Sequence, residues 1–295
     1  MRKIEKPNID LDEIVNDCIT NYRDIDLRDR FKQSIPKIKE YTNTFEDSIL
    51  SMTIHNFKSS SKIGKVSSDE MQKLYIEKFS KDGHLARKHY DEIMALAPFR
   101  KCPYCATKEV RTLDHYMPKS KYSALSVSPI NLIPCCRDCN TTKKDVRYTK
   151  YTDTHIHPYF DNIDTHIWLT ANLKLDSDKT LSITYTVIKP DEWNDDLFNR
   201  VLTHFYTFDL NNVFSFKAID EINNITPKFR DVFLKTNNLD IVYQDLHETL
   251  KSHQENCLNS WQTALYQALI KDNTYIKKYL PIVAKRYLDM QKNKP

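Results

Sequence analysis

At 295 residues the chain exceeds the usual length of one domain, and its 40% apolar and 28% charged residues are those of a globular protein with a core of its own. No apolar run approaches the roughly 20 residues that cross a bilayer, and the opening MRKIEKPNID has no apolar stretch behind its basic residues; a cytoplasmic protein with neither membrane span nor secretory signal is expected. The chain has two glycines, Gly64 and Gly83, which excludes the glycine-rich loops of dinucleotide folds, P-loop ATPases and most kinases.

The first hundred residues read as helical. Asp10 with Glu13 forms a capping pattern, followed by Leu11, Ile14, Val15, Cys18 and Tyr22 at helical spacing. Ser59–Ser68 is polar and serine-rich and is expected to be a loop. Ser67 with Glu70 repeats the capping pattern before Met71, Leu74, Tyr75 and Phe79. A third helix is predicted from His84 to Ala97, stopped by Pro98. Residues 99–160 lack sustained periodicity. After Trp168, Leu169, Ala171, Leu173 and Leu175 alternate, and so do Leu181, Ile183, Tyr185 and Val187, which predicts a hairpin. From Asp191 the chain turns helical again, with a stripe of Leu246, Leu250, Cys257, Trp261, Leu265 and Ala268. The expected plan is a helical region over 1–98, a small α+β metal centre over 99–160, and a hairpin plus helical region over 161–295. The fold class is thus mostly α with a small α+β insert.

Five of the seven cysteines fall between Cys102 and Cys139; Cys18 and Cys257, alone inside helical patterns, read as core residues. In a reducing compartment such clustering indicates metal binding rather than disulfides. Cys102-Pro-Tyr-Cys105 and Cys136-Arg-Asp-Cys139 are two knuckles whose four thiolates make a closed tetrahedral shell for structural zinc, with Cys135 a buried neighbour. A closed shell has no open position for catalysis, so such a zinc holds a segment together. Basic charge gathers here: residues 101–150 hold ten Lys and Arg against four Asp and Glu, in a chain whose net charge is +4, and this points to a polyanionic partner.

Between the knuckles lie Asp114-His115 with Pro118 behind them, then Asn131 in a loop; Asn140 directly follows the second knuckle. Arg111–His115 has strand character, and Cys136–Lys144 can start a helix. From Cys102 to about Lys144 the sequence resembles the HNH endonuclease family, whose core is a zinc-stapled ββα-metal finger. The resemblance implies His115 as general base, Asp114 and Asn140 on a catalytic divalent ion, and Asn131 in the loop that orients His115. Chemistry agrees: neutral His accepts the proton of an attacking water, and oxygen ligands suit Mg²⁺ or Mn²⁺. Adjacent strand residues point to opposite faces, so Asp114 and His115 share one site only where the strand ends or bulges. Lys119, Lys143 and Lys144 are expected to contact phosphates. His155 and His157, just past the motif, read as packing residues before ligands.

The expected function is metal-dependent hydrolysis of DNA, with RNA as an open alternative. A second reading is a zinc ribbon, or assembly subunit, that binds nucleic acid without cutting; Asp114-His115 with Asn140 is what such a ribbon has no need of. More faintly, the flanks resemble nuclease subunits that accompany ATPases in bacterial antiphage systems of the Septu and retron-associated type, which implies an ATPase partner and a role in antiviral defence.

Overall fold

The computed structural model describes residues 1–271 and 273–292, which are mostly helical with three two-stranded antiparallel sheets. They divide into two compact units along an interrupted path: residues 1–163 with 195–208, and residues 164–194 with 209–295.

The first unit begins with α1 (Leu11–Ile19), whose N-cap Asp10 accepts the Asp12 amide, and α2 (Ile25–Leu50), capped by Asp24 on the Leu27 amide. Glu13 does not close a box on Asp10; its carboxylate pairs with Lys88. The serine-rich stretch is not all loop. Gly64, at φ +59°, turns β1 (Lys62–Ile63) back onto β2 (Val66–Ser67), and Ile63 and Val66 are fully buried. Helix α3 (Ser68–Leu74) opens on the complete Ser67–Glu70 capping box that the sequence predicts, and a π turn, Tyr75–Phe79, extends it. The third predicted helix is shorter than expected, α4 (Arg87–Ala95).

Next come β3 (Thr112–His115) and β4 (Leu132–Cys135), paired antiparallel with His115 opposite Leu132 and Asp114 opposite Ile133. Helix α5 (Arg137–Lys143) follows directly and packs on β3. This is a ββα arrangement. Leu113 and Leu132 join the core built by Ile14, Val15, Phe31, Met71, Leu74 and Ile93, so the finger rests on the N-terminal helices. Burial of such side chains, about 1.5–3 kcal/mol each, is what fixes the strand against them.

The second unit holds the predicted hairpin, β5 (Leu169–Leu175) paired with β6 (Leu181–Val187), whose alternating apolar residues are buried except for the half-buried Leu175 and Val187 at the strand ends. Helix α6 (Asp195–Thr207) then belongs to the first unit, and α7 (Leu210–Thr236) returns to the second. The apolar stripe over 246–268 is not one helix. It divides into α8 (Asp240–Asn256) and α9 (Trp261–Lys271), and Cys257 is extended and only partly buried. Asn259 requires the break: its buried side chain accepts from the Trp168 and Leu169 amides and donates to the His166 carbonyl, while Ser260 accepts the Thr263 amide and starts α9. Helix α10 (Leu280–Lys292) completes this unit. No helix among the described residues is long and apolar enough to cross a membrane.

Candidate active site and zinc centre

The knuckles come together because each is a tight turn pinned by its own backbone. Cys102 N donates to Lys108 O and Ala106 N to Cys102 O, with Ala106 at φ +55°; Cys136 is the N-cap of α5, its sulfur accepting the Cys139 amide at 3.4 Å. All four side chains are buried, and their Sγ atoms lie within 4.8 Å of one another, Cys105 and Cys136 being 4.0 Å apart. Zinc at about 2.3 Å from each sulfur of a tetrahedron needs Sγ separations of about 3.8 Å. The cluster fits a zinc site. The Thr107 hydroxyl, 3.3 Å from Cys105 Sγ, supplies a donor to one thiolate. Cys135 stands outside the cluster, and burial raises its thiol pKa well above the usual range.

Strand β3 ends at His115, and alternation sends Asp114 and His115 to different partners. Asp114, 5% exposed, receives the Tyr104 hydroxyl at 2.9 Å and the Lys143 ammonium at 2.9 and 3.2 Å on its two oxygens. Lys143 also donates to the His115 carbonyl at 2.7 Å. Lys143 is therefore no surface contact for phosphate: it is 1% exposed, because α5 packs this face on β3 beside a buried carboxylate that needs a counter-charge. Asn140, one helical turn earlier on α5, is half-buried.

His115 Nε2 lies 2.8 Å from the Ser126 carbonyl, and its ring meets the edge of Tyr75 with centroids 4.4 Å apart. A carbonyl only accepts, so Nε2 carries the proton and Nδ1 keeps a lone pair. Burial, reinforced by Lys119 and Lys143 and opposed by the Ser126 carbonyl, pushes the imidazole down to about 3, so it is neutral near pH 7. Lys119 is partly exposed, its ammonium 5.5 Å from the Tyr75 ring centroid; Lys144, at φ +54°, is exposed where α5 ends. Asn131, fully buried, accepts from Met117 N at 2.7 Å and donates to Met117 O and Leu125 O. It fastens the chain leaving His115 to the segment that presents Ser126.

A buried framework supports this from below. Tyr116 donates to the His155 carbonyl, and Tyr148 pairs with His155 Nδ1 at 2.9 Å; His157 packs on Tyr116 with ring centroids 4.3 Å apart. Among the described residues neither histidine joins a metal-ligand cluster. Arg200 from α6 reaches Asp161 with two nitrogens, the His155 carbonyl and Thr154, while His204 Nε2 lies 3.0 Å from the Tyr104 carbonyl inside the first knuckle. Sequence reasoning missed Tyr104, Ser126 and Arg200. Lys143 carried a signal, since Asn140 and Lys143 are three apart on a helix and share a face.

The geometry is a ββα unit with four clustered cysteines at its base and Asp-His at the strand's end. Residues 102–146 match the model of the HNH endonuclease family. Over almost its whole length the chain is also similar to Protein ea31 of Escherichia phage lambda, 25% identical across 300 aligned residues that cover 94% of this chain and 99% of that protein. No solved structure matches. An HNH domain supports nuclease activity in general, implies nucleic-acid binding, and belongs to a metal-dependent family.

Proposed function

We propose that the chain is a metal-dependent endonuclease that hydrolyses phosphodiester bonds of DNA, with His115 as general base. The observation that carries this reading is the His115 imidazole at the strand's end, neutral and held by the Ser126 carbonyl so that Nδ1 is the atom left to accept a proton. Nδ1 takes the proton of the attacking water. A phosphodiester beside the ring opposes the effect of Lys119 and Lys143, so His115 gains basicity as substrate arrives. Asn131 holds the ring's position through Met117 and Leu125, and Lys119, partly exposed beside Tyr75, would meet a phosphate oxygen.

Asp114 and Asn140 would hold the catalytic ion, Mg²⁺ or Mn²⁺. One carboxylate and one amide oxygen suit a hard cation that keeps most of its water; among the described residues Asp114 joins no cluster of three such ligands, and its carboxylate is shared with the Lys143 ammonium. Such an ion, when bound, neutralises charge on the phosphate and the leaving oxygen. In the same reading the helical flanks are where an ATPase subunit of an antiphage assembly would engage, which rests on their faint resemblance to such systems.

The test uses supercoiled plasmid and, in parallel, RNA, with and without Mg²⁺ or Mn²⁺. His115→Ala should lower cleavage at least about a hundredfold with zinc content and circular dichroism unchanged. Brief chelation should stop cleavage without removing zinc, and added Mg²⁺ should restore it to the parent but not to Asp114→Ala. Equal nicking by His115→Ala and parent would refute the assignment; binding without cutting under every metal condition would favour the zinc-ribbon reading.

A further inference from the structure

A groove of about 860 Å³ opens in the first unit between the segment 55–61 and the loop that leaves His115. Its volume is that of a small-ligand site, but such sites are lined mostly by apolar side chains. This one is lined by Lys58, Lys121 and Arg147, by His55, and by hydroxyls that include Ser60 and Ser120, with no carboxylate in its walls. The three cations are exposed. Among the described residues neither Lys58 nor Arg147 has a carboxylate partner, and the Lys121 ammonium donates to a backbone carbonyl, that of Asp145. The Asp145 carboxylate adjoins the lining and takes the Ser120 hydroxyl at 2.6 Å. Some lysines elsewhere in this unit are neutralised, such as Lys6 by Glu46, Lys37 by Glu40 and Lys73 by Asp69; what sets the groove apart is that three cations gather in one concave wall. Positive charge left uncompensated in a concave, hydroxyl-rich wall is complementary to a chain of phosphates.

The groove is tied mechanically to the candidate active site. Ser120, Lys121 and Tyr122 lie five to seven residues after His115, on the loop that runs on to Ser126. Phe57 packs on Tyr122 with ring centroids 5.9 Å apart, and the Ser68 hydroxyl donates to that of Ser123. One wall, residues 55–68, lies outside the segment that matches the HNH model, so the finger alone does not make this surface.

We infer that this groove carries the sugar–phosphate backbone of DNA next to the scissile bond, gripping it without reading its sequence; the inference rests on the nuclease reading above. It is tested by fluorescence anisotropy with a fluorescein-labelled 30-base-pair duplex, without divalent ions and in the His115→Ala background, at about 50–200 mM salt. Removing Lys58, Lys121 and Arg147 together by alanine should lower the slope of log K against log salt by about two to three, at about 0.9 per phosphate contact, and weaken binding at least about tenfold. Lys58→Gln alone should lower the slope by about one, which keeps the test sound should the triple variant misfold. Alanine at Lys32, Lys73 and Lys81, which changes net charge equally but does not line the groove, should leave both quantities at the parental value. A folded, zinc-loaded triple variant with parental slope and affinity would overturn the groove while leaving the nuclease reading intact. A protein that binds through the groove but never cuts would instead remove the nuclease reading, and a parent that does not bind the duplex at all would remove both.

Discussion

Replacing Lys143 by Met tests how the candidate site is held together. The ammonium makes two of the three polar contacts that reach the Asp114 carboxylate, one to each oxygen, and one hydrogen bond to the His115 carbonyl, at 1% exposure. Lys143→Met keeps the stem's volume but leaves the carboxylate in the interior with the Tyr104 hydroxyl alone. Breaking a buried pair from one side costs about 3–5 kcal/mol, a large fraction of a typical total of about 5–15 kcal/mol. For a unit of this size that is a fall in melting temperature of roughly 6–20 °C. Combining it with Asp114→Asn removes both charges, and because a neutral pair of similar volume replaces a buried ion pair at little cost, the double variant should recover to within about 2 kcal/mol of the parent. Thermal and urea unfolding of the four proteins, followed by circular dichroism, gives the coupling energy, expected to exceed about 1.5 kcal/mol. Added Mg²⁺ should also raise the melting temperature more in Lys143→Met than in the parent, because the carboxylate is then free of its internal cation. A single variant costing under about 1 kcal/mol, or strictly additive costs, would refute the buried-pair argument.

Two further outcomes are expected. Burial pushes His155 and His157 down to about 3 and His204 well below its usual value, so the folded protein keeps all three neutral. Their contribution is fully present above the unfolded pKa of about 6.5 and is lost as pH falls toward the folded values; for His155 and His157 the loss is about 2 kcal/mol each at pH 5. The urea midpoint should therefore drop steeply between pH 7 and 5, above the range where carboxylates titrate, and a flat midpoint would contradict the burial argument. Cys139→Ser should lose the zinc, about one per chain in the parent, and expose 99–160 to proteolysis, because metal binding there is folding energy; a well-folded, zinc-free parent would refute it.

Much of the finger was legible because its determinants are short-range: two CxxC turns, an Asp-His at a strand's end, and an Asn just after the second knuckle, each fixed by spacing alone. The Ser67–Glu70 box and the hairpin over 169–187 were legible for the same reason. What escaped depends on contacts between residues far apart in sequence. The 246–268 stripe keeps its helical phase across a break whose cause, Asn259 bonding to Trp168 and Leu169, lies about ninety residues away. The burial of Lys143 depends on which face α5 lays on β3. The β1–β2 turn was hidden by its serines, although Gly64 between Ile63 and Val66 marked it.

The interrupted path of the first unit also sets the order in which a growing chain can finish it. When synthesis reaches residue 163, the four cysteines, Asp114, His115, Asn131, Asn140 and Lys143 have all been made. The side chains of α6 that close over them, Arg200 on Asp161 and His204 on the first knuckle, have not. About 45 more residues, including the whole hairpin, must be added before α6 is complete, an interval of roughly 2–9 s at typical translation rates. The candidate site of this unit is thus made before its fastening, and a shortened chain that stops ahead of residue 195 carries every candidate catalytic residue without the helix that secures the first cysteine turn.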